Sequence, residues 1–438
     1  VVEGNGKFNS KKLLLIYIIP TKALVNDIYK RLEYKLSRLN ITSASKTGDR
    51  DNFKINQPQN VLFTTPEAVD SLLSRHPQIL KEIKFIVMDE LHFLDNNYRG
   101  DQLRILLQRI TKISNNPNEL NYYAMSATIN EPNEMCERYF KNYEIIISQG
   151  SRKITFSTID AGKDFKELGK LKKIFIEKKI NRAIFFCNSR KKTIQITSQL
   201  KEIFGRDDRI FEHHGSISSD LRKYVEREMA RTDNILSFCV ATSTLEIGID
   251  IGNIQAVVLI EPPLTVSSLL QRIGRGNRRT NKTTCFGVFE LSKDKQVFAE
   301  MIDKARNGII EDIKYQPDMS VVVQQILSLT MEKYNEDNGK LTYKKIHEFL
   351  DILVSKPEHV DLIIEKMISD DYIQESRGKI IPTTKLLDFQ SKFRMGKSIN
   401  ANISSGNVMQ VVDQSGKILG EMEKPTEKMN KIQFASRK

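Results

Sequence analysis

The chain has 438 residues, 39% of them hydrophobic, and a formal net charge of +13. This length predicts about three domains, and no apolar run approaches the roughly 18 residues that a membrane-spanning helix needs, which excludes a protein built from such helices. The positive charge favours a polyanionic partner, although a proteome rich in lysine, asparagine and isoleucine would give the same balance, so charge alone leaves both interpretations open.

The four cysteines are scattered along the chain and none stands in a Cys-x-x-Cys pair: Cys136, Cys187, Cys239 and Cys285. This spacing argues against a zinc site or a disulfide framework and predicts a cytoplasmic protein, in which thiols stay reduced. The chain begins at Val1 within a polar stretch. We therefore expect a fragment or a processed form, in which an N-terminal signal cannot be judged.

Short apolar runs alternate with helical patterns through the first 300 residues. A first set of predicted strands comprises KLLLIYII (12–19), NVLFTT (60–65), FIVMD (85–89) and YYAMS (122–126). A second set comprises RAIFFCN (182–188), ILSFCVAT (235–242), AVVLIE (256–261) and FGVFEL (286–291). Runs that are apolar on both faces and linked by helices are typical of parallel sheets covered on both sides. The pattern predicts two α/β domains, over residues 1–150 and 151–312, with a hinge near Ser148–Lys153.

The pattern changes after about Gly308. The segments VVVQQILSLTMEKY, LTYKKIHEFLDIL and VDLIIEKMISDDYI have helical periodicity, and ESRGKIIPT reads as a small hairpin. This order is typical of a winged helix, predicted over residues 313–390, although a generic helical domain would also fit. From residue 391 to 438, the alternating segments INANIS, VMQVVD and KILGEME predict the start of a β-rich domain.

An acidic pair follows the apolar run FIVM, in the order Asp89, Glu90, Leu91 and His92. A carboxylate at the carboxyl end of a parallel strand faces the crevice in which open α/β sheets bind ligands. In a nucleotide hydrolase Asp89 would hold magnesium through its water shell, and Glu90 would orient or deprotonate the attacking water. The alternative is a strand end that is acidic without a catalytic role.

The stretch QRIGRGNRR (271–279) is the most specific one in the chain. Residues 264–287 contain no acidic residue and five basic ones: Arg272, Arg275, Arg278, Arg279 and Lys282. Arg275 and Arg278 are three positions apart and share one face of a helical turn. Two guanidinium groups aimed at one place suit a phosphate whose charge grows in the transition state, so both are candidate arginine fingers. A solvated basic turn that binds nothing is the alternative.

Weaker signals follow other predicted strands. The hydroxyls of Ser126 and Thr128 can bond to the preceding acid or to the other domain. Gly248 permits close backbone approach, and Asp250 can bind a ribose hydroxyl. Hydroxyls and helix N-termini that suit a phosphate backbone are offered by Pro20, Thr21, Thr65, Pro66, Thr242 and Ser243.

In chain order, these pieces resemble the motifs of a superfamily 2 helicase: PTKALVND, TTPEAVD, DELH, SAT, FCNSRKKT, ATSTLEIGID and QRIGRGNRR. Finer features resemble the large-helicase-related (Lhr) branch: KTGDR (46–50), YRGDQL, HHGSIS (213–218) and VVVQQIL. The resemblance covers nearly the whole chain and is more specific for the superfamily than for the branch.

The resemblance implies an α/β fold of two RecA-like parallel-sheet domains, then a winged helix and the start of a β domain. It implies an ATP- and magnesium-dependent translocase with 3′ to 5′ polarity, acting on single-stranded DNA or a DNA/RNA hybrid in DNA repair or related processing. It does not imply a membrane or a particular protein partner. A non-catalytic nucleic-acid-binding subunit and an RNA helicase are the alternatives.

The resemblance also assigns roles to individual residues. His92 and Gln271 would link hydrolysis to the domain interface, and Ser126 and Thr128 would couple it to movement. Arg275 and Arg278 would act as fingers. The strand would be tracked by Thr21, Thr65, Ser189, Arg190 and Thr242, in contacts that are sequence-independent and weaken with salt.

The phosphate loop of the family, G-x-x-x-x-G-K-[ST], does not appear ahead of PTKAL. Residues 4–10 read GNGKFNS, which lacks the first glycine at the right spacing and has Phe8 where the magnesium-binding hydroxyl belongs. We expect the loop to lie upstream of Val1 and the chain alone to show negligible ATPase activity.

Overall fold

The computed structural model describes most of the chain between residues 11 and 423. The described ranges are 11–48, 50–127, 129, 131–147, 153–205, 209–231, 233, 235–246, 251–276, 282–311, 315–335, 341–354, 356–392, 408–412 and 418–423. Among these residues, no helix is both long enough and apolar enough to cross a bilayer.

The first part of the chain folds into a five-stranded parallel sheet in the order β2-β3-β1-β4-β5. Its strands are β1 Leu15–Ile18, β2 Ser43–Lys46, β3 Val61–Thr64, β4 Phe85–Met88 and β5 Asn121–Ala124. Its helices are α1 Lys22–Ser37, α2 Pro66–Arg75, α3 Tyr98–Ile113 and α4 Pro132–Tyr139. Helix α1 packs on one face of the sheet, and α2 and α3 pack on the other. Covering both faces explains why the inner strands are apolar at successive positions.

The second part forms a six-stranded parallel sheet in the order β6-β11-β10-β7-β9-β8. Its strands are β6 Lys153–Asp160, β7 Arg182–Cys187, β8 Ile210–His213, β9 Ser237–Ala241, β10 Ala256–Ile260 and β11 Lys282–Phe289. Its helices are α5 Lys170–Glu177, α6 Arg190–Phe204, α7 Ser219–Ala230, α8 Val266–Ile273 and α9 Ser292–Arg306. Separate apolar clusters cover its two faces. The two parallel α/β sheets predicted from the sequence are confirmed.

Three strands were not predicted, namely β2, β6 and β8. Each is an edge strand, because β2 lies at one end of the first sheet and β6 and β8 lie at the two ends of the second. Edge strands have a neighbour on one side alone and need no continuous apolar run. Strand β6 also begins at Lys153, inside the stretch that was predicted as a hinge. Residues 148–152 lie outside the described residues.

The remaining elements follow the predicted order of helices and hairpin. They are α10 Ser320–Asn335, α11 Tyr343–Leu350, α12 Pro357–Ser369, β12 Ile373–Ser376, β13 Lys379–Pro382, α13 Thr384–Lys392, β14 Val408–Val412 and β15 Ile418–Glu423. Arg377 and Gly378 connect β12 to β13 with φ values of 52° and 72°, as the tight turn of a two-residue hairpin requires. The domain boundaries given above stay predictions.

Helix α10 is joined to α2 and α3 by a buried ionic network. The side chain of Arg109 is fully buried, and its guanidinium lies 3.1 Å from Asp70 Oδ1 and 2.5 Å from Glu332 Oε2. Ser328 Oγ donates to Asp70 at 2.5 Å, and Arg109 donates to Gln325 Oε1 at 2.9 Å. We call these five residues the Arg109 network. It ties the first sheet domain to a helix that lies beyond the second in sequence.

The segment ahead of α10 is also held on the first domain. The guanidinium groups of Arg104 and Arg138 both contact the Tyr315 ring, each 5.2 Å from its centroid. Its hydroxyl donates to Asp101 Oδ1 at 2.5 Å, and the amide of Asp318 donates to the other oxygen of that carboxylate at 2.8 Å. The chain therefore returns to the first domain before α10 begins.

Candidate functional site

Asp89 follows β4 directly, at the carboxyl edge of the first sheet. Its Oδ2 accepts a bond from the Tyr17 hydroxyl at 3.1 Å, and its Oδ1 accepts one from the Glu90 amide at 2.9 Å. Burial raises the pKa of the Asp89 carboxyl, although both hydrogen bonds act in the opposite direction. A divalent cation would favour the ionised form, and magnesium takes oxygen ligands from one or two carboxylates. The residues present fit such an ion.

Glu90 has an unusual backbone conformation for a residue with a side chain. Its φ of 49° and ψ of 45° lie in the left-handed region, which costs about 1–3 kcal/mol and persists only where the surrounding structure holds it. The short helical turn Leu91–Phe93 that follows is anchored by buried Leu91, whose amide donates to Met125 O at 3.0 Å. The strained residue therefore lies between two fixed points, the end of β4 and this turn.

His92 is neutral in this structure. Its Nδ1 accepts a bond from the Ala127 amide at 3.2 Å and lies 3.0 Å from Ser126 Oγ, which places the ring proton on Nε2. Burial, together with the positive charge of Arg275, lowers the pKa of His92 to about 4. Ser126 thus contacts the histidine, where the sequence had suggested the preceding acid or the other domain. Thr128 lies outside the described residues.

Helix α8 is capped and held at its N-terminus. Thr265 Oγ1 accepts a bond from the Ser268 amide at 3.0 Å, and the Glu311 carboxylate accepts from the amides of Val266 and Ser267. Beyond its last residue, Ile273, the chain turns through Gly274 to Arg275. The predicted finger Arg275 therefore follows a fixed helix.

Two arginines of this stretch are buried and bonded within the second domain. Arg272 Nε donates to Glu246 Oε1 at 2.7 Å, and its Nη1 donates to Asn188 Oδ1 at 2.9 Å. Arg275 Nη2 donates to the Glu246 main-chain oxygen at 2.5 Å. Arg272 is therefore a structural residue of the domain. The other predicted finger, Arg278, lies outside the described residues.

The two sheet domains face each other across a cleft of about 180 Å³. The first domain contributes Glu90, His92, Phe93 and Ala127 to its lining, and the second contributes Glu246, Ser267, Leu270, Gln271, Gly274 and Arg275. The structure thus brings four of the predicted residues together: Glu90, His92, Gln271 and Arg275. Gly248, Asp250 and the segment 4–10 considered for the phosphate loop lie outside the described residues.

The predicted nucleic-acid residues lie along a different part of the sheet edges. Thr21 and Thr65 follow the paired strands β1 and β3, while Ser189 and Thr242 follow the paired strands β7 and β9. Thr21 and Ser189 cap helices, because their hydroxyls accept bonds from the amides of Leu24 at 3.3 Å and Lys192 at 3.2 Å.

The other members of this set differ in exposure. Thr65 is buried and its hydroxyl bonds to Glu67, while Pro66 is buried and begins α2. Pro20 is buried as well, whereas Arg190 and Ser243 are exposed. Exposed groups and free helix N-termini are the parts that reach a phosphate backbone directly. In this conformation Thr65 is the least accessible of the hydroxyls.

Two residues of the site were not singled out from the sequence, Tyr17 and Glu246. Tyr17 reaches Asp89 because β1 pairs with β4 in a register that places Tyr17 beside Val87. Glu246 stands inside ATSTLEIGID, but an acid after a short turn carries no periodic signal. To predict these two residues, one would have had to know which strand pairs with β1 and which helix packs beside Glu246.

Two helicase family models match the parts of the chain that contain this site. The DEAD/DEAH box helicase family model matches residues 4–135, and the helicase conserved C-terminal domain model matches residues 166–280. The ATP-dependent helicase Lhr-Core of Methanocaldococcus jannaschii is 26% identical over 455 residues, which cover 94% of this chain and 52% of that protein. The chain spans about half the length of the curated relatives it matches.

Solved structures share the fold. Mycobacterium smegmatis helicase Lhr, bound to single-stranded DNA and AMP-PNP, superposes with a TM-score of 0.73 at 21% identity, covering 86% of this chain and 53% of that one. The DUF1998 helicase MrfA bound to DNA gives a TM-score of 0.69 at 22% identity, covering 94% of this chain and 56% of that one. The similarity includes both sheet domains and extends past them.

Proposed function

The chain belongs to the superfamily 2 helicases and to their Lhr-like branch, and on this premise we propose that it is part of an ATP-dependent motor that moves along single-stranded DNA. The observation that carries the proposal is the cleft. Glu90 and His92 of the first domain lie there opposite Gln271 and Arg275 of the second. Hydrolysis at a domain interface links the reaction to domain closure, as movement along a strand requires.

Asp89 and Glu90 divide the work on the first domain's side. Asp89 would hold magnesium through water, and that ion would neutralise charge on the terminal phosphates. Glu90 would orient the attacking water and accept its proton, and its position at the end of β4 is fixed by the turn behind it. Strain at Glu90 is consistent with a functional position.

Arg275 and His92 act from opposite walls. The Arg275 guanidinium would stabilise the charge that grows on the transferred phosphoryl group. His92 is neutral and holds its proton on Nε2, a buried atom with no hydrogen-bond partner among the described residues, so it would donate a bond to the nucleotide without adding charge. Gln271 lines the same cleft and would contact the same phosphoryl group.

Nucleic acid would lie along the other half of the sheet edges, across both domains. The helix N-termini at Thr21 and Ser189, and the turn at Thr242, offer donors to phosphates in neighbouring positions. The net charge of +13 supports a polyanion. The relatives in the solved structures were bound to DNA. We extend this to a DNA or DNA/RNA hybrid substrate, 3′ to 5′ polarity and a role in DNA repair, all from the resemblance.

A cytoplasmic location is proposed on the cysteines alone. All four are free thiols in the described structure, and Cys187, Cys239 and Cys285 are buried within the second domain. Burial raises the pKa of the Cys187 thiol to about 12, which suits a structural role over a reactive one.

The test is ATP turnover by the full-length protein with and without single-stranded DNA. We expect DNA-stimulated hydrolysis that Glu90→Gln abolishes, since the amide cannot accept a proton from water. The control is Glu82→Gln, which removes an exposed acid of the same domain that pairs with Lys12. Salt-sensitive DNA binding without turnover would favour a non-catalytic binding subunit, and stronger stimulation by RNA would favour an RNA motor.

A further inference from the structure

Glu246 bonds to two arginines, to one through its carboxylate and to the other through its main-chain oxygen. Its carboxylate accepts bonds from Arg272 Nε at 2.7 Å and from Ser268 Oγ at 3.0 Å. Its main-chain oxygen accepts the bond from Arg275 Nη2 at 2.5 Å. The carboxylate thus fixes helix α8, and the peptide oxygen fixes the guanidinium beyond the end of that helix.

The turn that carries Glu246 is held by hydrogen bonds and by a buried side chain. The Glu246 amide donates to Ser243 O at 2.9 Å, and Leu245 is buried in the core. Thr244 Oγ1 lies 2.9 Å from His213 Nδ1 and donates to His213 O at 3.1 Å, while His213 Nε2 lies 3.3 Å from Glu226. A buried imidazole therefore holds this turn against the end of β8.

Glu246 and Arg272 form a buried ion pair beside the cleft. Glu246 is 7% exposed and its negative charge is matched by Arg272, which is 4% exposed. Arg275 is the arginine of this stretch that lines the cleft, opposite Glu90. An arginine side chain has many rotamers, and donors that are already oriented toward the transition state are the effective ones.

We infer that Glu246 is the positioning residue that fixes the Arg275 guanidinium for the transition state of ATP hydrolysis, an inference that rests on the proposed function. The Glu246 carboxylate is engaged by Arg272 and Ser268, so Glu246 acts through Arg275 and through α8. Its loss lowers the rate of hydrolysis and leaves binding of the ground-state nucleotide in place.

The experiment uses the full-length protein and a double-mutant cycle. Glu246→Ala removes the carboxylate that anchors α8 and keeps the main-chain oxygen that accepts from Arg275, so kcat with single-stranded DNA is expected to fall by up to about 10²-fold, the loss seen when one transition-state donor is removed, while KM for ATP changes little. Glu246→Gln keeps an amide oxygen for Arg272 and Ser268, so it recovers part of that rate. The affinity for ADP with aluminium fluoride falls in Glu246→Ala, and the affinity for ADP does not.

The double variant Glu246→Ala, Arg275→Ala is expected to be no slower than Arg275→Ala alone, because both changes remove the same stabilisation of the transition state by Arg275. The control is Glu228→Ala, which removes a buried acid of the same domain that pairs with Arg209 and Arg231. It is expected to keep kcat, and melting temperatures show whether each variant is folded.

Losses that multiply in the double variant, or a Glu246→Ala protein with unchanged kcat, would overturn the inference while wild-type turnover upheld the proposed function. A wild-type protein without DNA-stimulated turnover would overturn the proposed function, and the inference would fall with it. A folded Glu228→Ala variant that is as slow as Glu246→Ala would overturn the inference, since the loss would then reflect general destabilisation of the domain.

Discussion

Replacing Arg109 with methionine probes the buried network between α3 and α10. Methionine has a similar length and no charge, so the change leaves the carboxylates of Asp70 and Glu332 without their shared cation. Both side chains are 2% exposed, and water cannot take the place of the guanidinium without opening the interface. We expect α10 to separate from the first domain more readily.

The magnitude follows from the burial. Breaking a fully buried ion pair by removing one partner costs about 3–5 kcal/mol, because the remaining charge is desolvated and unpaired. Asp70 loses its cation here, whereas Glu332 keeps Lys333 at 2.9 Å, so the expected cost stays within this range. The triple variant Asp70→Asn, Arg109→Met, Glu332→Gln removes all three charges at similar volume and is expected to recover most of the loss.

Hydrogen exchange of the amides in α10 measures this opening directly. Three to five kcal/mol corresponds to exchange that is faster by roughly 10²- to 10⁴-fold, while amides of β7 in the second domain stay unchanged. The control is Arg99→Met, on the same helix and paired with Glu67 of α2. That pair is about one-fifth exposed on each side, so water can reach the remaining carboxylate and its loss is expected to cost clearly less than the change at Arg109. Equal effects of the two methionines, or a triple variant as open as Arg109→Met, would refute the reasoning.

Two further predictions concern a titrating group and a close backbone contact. The pKa of His92 is about 4 in the folded chain and 6.5 ordinarily. Between pH 4 and pH 6.5 the unfolded chain therefore binds a proton at His92 that the folded chain does not. Stability should therefore fall by up to about 3 kcal/mol as pH drops from 6.5 to 4, and pH-dependent urea unfolding of His92→Asn should lack this component. Gly100→Ala should destabilise the first domain by about 1–3 kcal/mol in urea, because the new Cβ would lie 2.3 Å from Leu94 O. Gly169→Ala, which meets no atom within 4 Å, should be neutral or stabilising, and equal losses at the two glycines would contradict the steric argument.

The inner strands could be predicted because a strand that is buried on both faces is apolar at nearly every position. All six residues of β7 and all five of β10 are buried, and their sequences RAIFFC and AVVLI are nearly continuous apolar runs. Strand β2, with the sequence SASK, has no such run. It lies at the edge of the sheet, where its pairing with the neighbouring strand defines it. Periodicity reports burial, and it fails where the hydrogen-bond ladder alone defines the strand.

The site could be predicted where one residue type is chemically required. Acids after a strand and paired arginines after a helix have few other uses together, and Glu90 and Arg275 do line one cleft. Glu246 and Tyr17 depend on which strand or helix lies next to them, and that is decided by packing across the whole domain. Supporting residues of this kind carry little signal in a single sequence.

The Arg109 network also sets an order of events during synthesis. Arg109 and Glu332 are 223 residues apart, and the whole second sheet domain is encoded between them. At 5–20 residues per second, the ribosome needs roughly 10 to 45 seconds to reach α10, the helix that covers the face formed by α2 and α3. During that interval Asp70 and Arg109 are in contact with water, and the first domain carries an apolar and ionic surface that is not yet covered. A nascent chain halted between residues 310 and 330 would therefore expose this surface to chaperones for as long as the halt lasts.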